Sequence, residues 1–538
     1  MPRPEIPHSP GQPHRRHYGS RVLVGLFIFG IVGSLRIHET IAQNEPFLLL
    51  DGSPDAGAPA ESAEEVAVRV ITVNIQVLMA RKAYDTAVSE LERLLRRAPD
   101  QFPVQLLATE IYFYLGQDLR VKEHAAHASE LDPSSIEPYR WLARLARWRG
   151  DLEEARKHLK SALELEPDRT GLRTELATLH AAEGHYMRAQ RNYRRAVRGE
   201  PDDARAAMEA ALRLRNPKRR DDALRRLSER FPDDSRIQSW AALCREIEGR
   251  KFWQAQPHLS PVSVPMRIDA QHFATVGAQI GDQINVRLLL DTGTSGLKLT
   301  EEVARRAGVQ TFGPLSISGL GSERAPRARL GLLKQMKLGP LTLHDVPVTV
   351  LESLPKGDGL FNPRSIGTEA VRFDVSRRKL LLGSRVDLLP EGSEPRRFFE
   401  IEEHLLVHLY LNGRSRHAML DSGSGATILD VSLVREIPQR RPMLFEGMTF
   451  SLSGVVGEVK EAKPIHVSRL NLGDLVVQNS ILFEADLSLF GAYLGTDVEL
   501  LLGADYLSRY DTTLDYRAME MTLEPVQKKR RRRIRSDP

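Results

Sequence analysis

The sequence predicts a multidomain protein in which an all-α helical repeat array precedes an all-β domain of two like lobes. Three observations carry that prediction. Between residues 65 and 250 proline and glycine recur with a period of 34; two strand-led Asp-Thr/Ser-Gly segments lie 130 residues apart; and a 22-residue block recurs downstream of each. At 538 residues the chain is several times longer than one ordinary core requires.

Residues 1–21 are polar and carry Arg3, Arg15, Arg16 and Arg21 against Glu5 alone. Val22 to Leu35 is almost wholly apolar, and Arg36 ends the run. A basic flank before a short apolar stretch is the layout of a secretory signal. As a helix, fourteen residues reach about 21 Å, short of a hydrocarbon core of about 30 Å. Residues 22–35 are therefore expected to be a signal-peptide core or a signal anchor rather than a buried core helix. By the positive-inside bias, residues 1–21 stay cytoplasmic and the rest is periplasmic or secreted, held at the inner membrane if the segment is uncleaved. Thr40-Ile41-Ala42 is a passable but poor cleavage site, and Arg15-Arg16 lacks a twin-arginine context. Residues 36–64, rich in Pro and Ala, read as a disordered linker.

In the segment 65–250, Pro99, Pro133, Pro167 and Pro201 are spaced by 34, as are Gly116, Gly150 and Gly184. Ala87, Val121, Ala155, Ala189 and Ala223 keep the same interval. A small residue in that frame lets antiparallel helices approach closely, and the proline closes the second helix because it has no N–H to donate. The pattern resembles the tetratricopeptide repeat. That resemblance implies a superhelical scaffold whose concave face binds a peptide or a partner protein, the alternative being a spacer. The last unit departs, with Pro232 three residues early, as a capping repeat would.

After a Pro-punctuated linker, 251–264, the texture changes to short alternating runs with Gly and Pro turns, the mark of β structure. INVRLLLDTGTSGLKLT surrounds Asp291 and RSRHAMLDSGSGATILD surrounds Asp421. Each is preceded by a hairpin signal, Gly281-Asp282 and Asn412-Gly413. Phe361–Leu382 aligns without a gap on Leu502–Leu523, placing Asp374 over Asp515. Lobe 1 is expected over 265–390 and lobe 2 over 391–525, a tandem duplication.

The two D-T/S-G-T/S elements, with Leu501-Leu502-Gly503 downstream in the second copy, resemble the retropepsin-like aspartic proteases over about 260 residues. In that family two lobes meet and each contributes one aspartate. The resemblance implies an endopeptidase with a catalytic pair Asp291 and Asp421, a protein or peptide substrate and no cofactor. Two carboxylates held close share a proton, so one acts as general base on a water while the other polarises the scissile carbonyl. Gly293 and Gly423 let the backbone turn tightly behind each aspartate. The resemblance further implies that Thr292 and Ser422 lock the two loops together, and that Thr294 and Ser424 bond the outer carboxylate oxygens. Flap candidates are the turns at Gly319 and Gly321 and at Gly454 and Gly457; plain β-turns are the bland alternative.

Two departures stand out. Asn362 occupies the place of the glycine expected beneath Asp291, and Gly425 stands where Ala, Ser or Thr is commoner. A side chain at 362 could displace Asp291, which would leave lobe 1 structural. The rival reading is therefore a non-catalytic exported scaffold that grips peptides without cutting them. A third keeps the enzyme but pairs lobes between chains.

Composition removes other classes. The chain has one cysteine, Cys244, so no intrachain disulfide, thiolate zinc site or CxxC pair can form, and its helical setting reads as a small buried residue. The formal charge of +5 is local, because residues 528–538 carry seven Lys or Arg against Asp537. Residues 526–538 read as a solvated basic tail, and no nucleic-acid partner is expected. His404 and His408 lie on one strand face without a flanking Glu, so no metal is expected there.

Overall fold

The computed structural model describes residues 84–115, 117–198, 201–255, 261–281, 283–316, 327–354, 356–390, 394–401, 403–411, 414–434, 450–453, 458–472, 475–487 and 498–526, with scattered residues between 26 and 78. Apart from Leu26 and Phe27, the apolar run 22–35 lies outside them, as does the basic tail beyond Val526. No helix among the described residues is long and apolar enough to cross a membrane.

The 34-residue period is written directly into the helices. Tyr84–Arg97, Asp118–Leu131, Leu152–Leu165 and Tyr186–Ala196 begin 34 residues apart and alternate with Phe102–Tyr114, Glu137–Trp148, Thr170–Ala182 and Ala204–Leu212. The first three end two residues before Pro99, Pro133 and Pro167. Ala87, Val121, Ala155, Ala189 and Ala223 are at most 2 % exposed, so the small-residue frame sits where helix backbones come closest. Gly150 and Gly184 take φ of +72° and +74°, the left-handed turn that releases one helix into the next.

The last pair begins at Asn216, whose side chain caps Pro217–Arg230 by accepting from the Arg219 amide, and ends with Ser235–Ile247. One face of that final helix is covered by the β domain. Leu243 and Ile247 pack on Leu330 and Leu332 of the first β lobe. Full burial of such aliphatic side chains contributes about 1.5–3 kcal/mol each. Further up the array, the turn glycines press on the second lobe: a Cβ on Gly150 would lie 2.4 Å from His417 Nε2, and one on Gly184 would lie 3.2 Å from Met519 Cγ. Tyr186 adds a hydrogen bond from its hydroxyl to the Tyr516 carbonyl at 2.6 Å. The repeats are docked along the β domain.

The β domain begins earlier than its sequence texture suggests. Gln254–Ala255 pairs with Leu343 and His344, and the strand Val262–Ile268 starts inside the segment expected to be linker. Its alternation puts Val262, Val264 and Met266 inward. It is the outer member of an antiparallel sheet shared by the lobes, running Val262–Ile268, Lys379–Gly383, Ala370–Asp374, Tyr510–Asp515, Glu520–Pro525, Arg396–Ile401. The order is palindromic about the central Ala370–Asp374/Tyr510–Asp515 pair, where Val371 faces Leu514. The duplicated blocks thus meet as neighbours, each lobe supplying three strands.

Asp374 and Asp515, aligned in the sequence, are turn-formers. Asp374 Oδ1 accepts from the Ser376 hydroxyl and the Arg377 amide, and Asp515 Oδ1 from the amides of Arg517 and Ala518. The strands that flank Gly281-Asp282 and Asn412-Gly413 pair antiparallel, Ile280 with Ile284 and Leu411 with Arg414, while Asp282, Asn412 and Gly413 lie outside the described residues. Cys244 is buried and free, and burial pushes its thiol up to about 12.

Candidate active site

Each aspartate is delivered by the same local construction. Ile284–Leu290 lies parallel to Gly359–Phe361, and the Asp291 amide donates to the Phe361 carbonyl at 3.0 Å. In lobe 2, Arg414–Leu420 lies parallel to Leu500–Leu502, and the Asp421 amide donates to the Leu502 carbonyl, also at 3.0 Å. The last three residues of each strand, 288–290 and 418–420, are apolar and buried, and both strands end at the aspartates.

The two loops are tied to one another by four reciprocal hydrogen bonds. The Thr292 hydroxyl donates to the Leu420 carbonyl at 2.9 Å and accepts from the Ser422 amide at 3.0 Å. The Ser422 hydroxyl donates to the Leu290 carbonyl at 3.0 Å and accepts from the Thr292 amide at 3.1 Å. Every donor and acceptor in this square is buried and satisfied, so the lobes are held in register at the point where the carboxyls emerge.

Asp291 and Asp421 are both 0 % exposed. Oδ1 of Asp291 accepts from the Gly293 amide at 2.9 Å; Oδ1 of Asp421 accepts from the amides of Gly423 at 2.9 Å and Ser424 at 3.1 Å. Oδ2 of each has no N–H or O–H donor from the protein. Each carboxyl is among the groups that act on the other's ionisation, and a buried pair so placed favours holding one proton between its members. Gly293 is what permits the approach: a Cβ there would stand 2.7 Å from the Asp421 carboxyl carbon.

Burial raises the pKa of both groups. Asp291 is pushed up to about 6, the nearby Lys298 ammonium and the Gly293 amide opposing the rise. Asp421 is raised well above the ordinary carboxylate range, first by burial and then by the charge of Asp291, with the two amides opposing. A pair that titrates in this way holds one proton between its members across a broad pH interval.

Asn362 does not displace Asp291. It is 1 % exposed; its Nδ2 donates to the Thr294 carbonyl at 2.6 Å, its Oδ1 accepts from the Arg364 amide at 3.0 Å, and its own amide donates to the Gly296 carbonyl at 3.0 Å. The lobes solve one packing problem in opposite ways. At Gly503, the lobe 2 equivalent, a Cβ would meet the Ala426 carbonyl oxygen at 2.4 Å, whereas the lobe 1 counterpart of Ala426 is Gly296 with φ of +64°.

Thr294 and Ser424 differ from expectation. Neither hydroxyl bonds an aspartate. The Ser424 hydroxyl donates to the Ala426 carbonyl at 2.8 Å and reaches Asp421 through its amide instead. The Thr294 hydroxyl accepts from Lys298 Nζ, which also donates to the Ser295 carbonyl at 2.7 Å. Lys298 is a functional candidate that pattern reading missed. The one available signal was a lysine inside the apolar LKLT strand. The flap candidates Gly319, Gly321, Gly454 and Gly457 lie outside the described residues.

The histidine pair also resolves differently. His408 sits opposite His417 on the neighbouring strand, with ring centroids 4.9 Å apart, while His404 is separately buried. A second group, His180, Glu183 and His185, brings three ligand atoms within 4.8 Å of one another at the turn after Thr170–Ala182. Its surroundings are cationic. Arg156 pairs with Glu183, and burial, followed by Arg156, His185, Arg188 and Lys160, brings His180 down to about 4. This field opposes a metal ion.

Comparison with known proteins agrees with the architecture. Residues 276–370 match the aspartyl protease family, and residues 146–213 match the tetratricopeptide repeat. The first match contains Asp291 and ends before Asp421. Over 111 residues, 21% of this chain, the sequence is 31% identical to the UBA domain-containing protein Mud1 of Schizosaccharomyces pombe. The chain spans 30% of the length of that relative.

Proposed function

We propose, from the premise that this chain joins a tetratricopeptide repeat region to an aspartyl protease domain, that it is a retropepsin-like endopeptidase with an intramolecular Asp291/Asp421 pair. The observation that carries this reading is the reciprocal Thr292/Ser422 lock, which closes two fully buried carboxyls against each other from lobes of one chain.

An extended peptide lies across the pair with a water between the carboxyls and the scissile carbonyl. The ionised carboxylate takes a proton from the water as its oxygen bonds the carbonyl carbon. The protonated carboxyl gives its proton to the carbonyl oxygen, forming a neutral tetrahedral diol. Collapse of the diol breaks the C–N bond: the protonated carboxyl gives its proton to the leaving amine, the ionised one takes a proton from a diol hydroxyl, and no covalent enzyme intermediate forms. Burial serves this chemistry by keeping one proton on the pair and by strengthening each charge interaction.

The helical repeats, docked on both lobes, are read as the element that recruits the protein substrate or a partner. The chain is further proposed to act outside the cytoplasm after export through residues 22–35; N-terminal sequencing of the mature protein and fractionation test that placement.

Purified protein digesting casein or a peptide library across pH 3–7 tests the activity. Asp291→Asn and Asp421→Asn should each abolish cleavage. Wild-type turnover in either variant refutes the intramolecular pair, and no digestion by the wild type leaves the peptide-gripping scaffold. Specific activity that is independent of concentration in a monomer excludes lobe pairing between chains.

A further inference from the structure

We infer that Lys298 is a positioning residue of the aspartate pair: its buried ammonium breaks the symmetry of the two lobes and assigns the ionised role to Asp291 and the protonated role to Asp421. The inference deepens the hydrolase reading and rests on it.

The argument starts from the duplication. Lys298 lies seven residues after Asp291, and Ile428 seven after Asp421. The sheet register makes the two positions equivalent: Lys298 faces Leu360 where lobe 2 sets Ile428 against Leu501, and Leu360 and Leu501 each stand one residue before the duplicated blocks. Lobe 2 therefore fills this position with a hydrocarbon. Lobe 1 fills it with a lysine that is 0 % exposed.

A lysine in such a place is expensive to bury, and an apolar residue is evidently compatible with the fold. Among the described residues no carboxylate lies within ion-pairing distance of Lys298. Its ammonium is held by the Thr294 hydroxyl and the Ser295 carbonyl, both in the loop that carries Asp291. That hydroxyl accepts from the lysine and makes no bond to the outer oxygen of the aspartate.

The charged groups facing Lys298 are Asp291 from its own lobe and Glu403 from the lobe 2 turn between Arg396–Ile401 and His404–Leu411. Among the charged groups of the described residues, Asp291 faces Lys298 and Asp421, whereas Asp421 faces Asp291 alone. Glu403 is itself pushed towards its neutral form by burial, with Arg213, Arg364 and Lys298 opposing and Glu400 adding to the rise. The strongest cationic influence on the pair thus falls on one side of it. Asp421 has one more amide bond than Asp291, through Ser424, which pulls the other way. Burial brings the ammonium itself down to about 8, with Asp291 and Glu403 opposing, so it is charged where Asp291 first ionises near 6.

A cation close to the pair favours each ionisation, so its loss shifts both limbs of the pH–rate profile upward. Lys298→Met keeps the volume and removes the charge. Its acid limb should lie about one pH unit or more above that of the wild type, while KM at the optimum stays within about twofold. Limbs coincident to within about 0.3 unit in a variant that still cuts would overturn the inference. A second measurement uses no substitution at Lys298. Carbon-13 NMR of aspartate-labelled full-length protein follows the remaining carboxyl in Asp421→Asn, where Asp291 stands alone, and in Asp291→Asn, where Asp421 does. Asp291 should ionise at least about one unit below Asp421. Equal or reversed values would overturn the assignment. If the wild type cuts no peptide, the hydrolase reading falls, and these titrations still decide for or against Lys298.

Discussion

Replacing Gly293 by alanine tests how tightly the two lobes must approach. The added methyl would stand 2.7 Å from both the carboxyl carbon and Oδ1 of Asp421, where ordinary contact begins at 3.4 Å. The carboxyl must therefore retreat by about 0.7 Å, and the Thr292/Ser422 square prevents the loops from separating as a unit to absorb it. A misplacement approaching 1 Å at reacting groups can lower turnover by about a hundredfold, or about 2.7 kcal/mol in the barrier. The assay is kcat on a fluorogenic peptide cut by the wild type, with a thermal melt to show that the variant folds. Gly277→Ala serves as the control, because nothing lies within 4 Å of a Cβ at that position. A Gly293→Ala enzyme with kcat within about threefold of wild type would refute the close-approach argument, and a comparable loss in Gly277→Ala would show that the assay reports something other than the dyad.

Further outcomes follow from the same geometry. Thr292→Val strands the buried Ser422 amide and the Leu420 carbonyl; at about 1–3 kcal/mol per unsatisfied group, urea denaturation should show a loss of roughly 2–5 kcal/mol, and Ser422→Ala should be markedly non-additive with it. The pKa values of both aspartates are raised in the fold above an unfolded value of about 3.9, so their protons are retained by the native state while the unfolded chain ionises. Their contribution to stability is complete below that value and is lost as pH rises through about 6 and beyond. The melting temperature of Asp421→Asn relative to wild type should accordingly climb between pH 4 and pH 7, and a constant difference would contradict the raised values. Gly150→Ala, with φ of +72° and a methyl 2.4 Å from His417 Nε2, should loosen the repeats from lobe 2; limited proteolysis should release the helical part faster while hydrolysis of a short peptide persists.

Much of this molecule is legible in its sequence. The helical period was readable because proline, glycine and a small residue are each demanded by backbone geometry at one point of the repeat, and geometry that recurs leaves a recurring mark. Asp291 and Asp421 were readable because a duplicated Asp-Thr/Ser-Gly behind an apolar strand is a local pattern. The exchange at Asn362 was not, since whether a side chain fits depends on Gly296, 66 residues earlier, taking φ of +64°. The hydroxyl partners of Thr294 and Ser424 were likewise undecided, because Lys298 and the Ala426 carbonyl come within reach of them only once the loops are folded.

Chain order and residue type alone determined an array of helical units, a doubled β lobe and one acidic group at the end of each matching strand, because these are properties of segments shorter than about forty residues. Tertiary structure decided everything that depends on distance across the chain: the palindromic sheet joining the lobes, the square of hydrogen bonds between residues 130 apart, and the docking of the repeats on both lobes. It also decided the different electrostatic settings of two aspartates whose local sequences are nearly alike. The physical reason is that an ionisation responds to the burial and charge assembled around it, and those come from neighbours in space rather than neighbours in sequence.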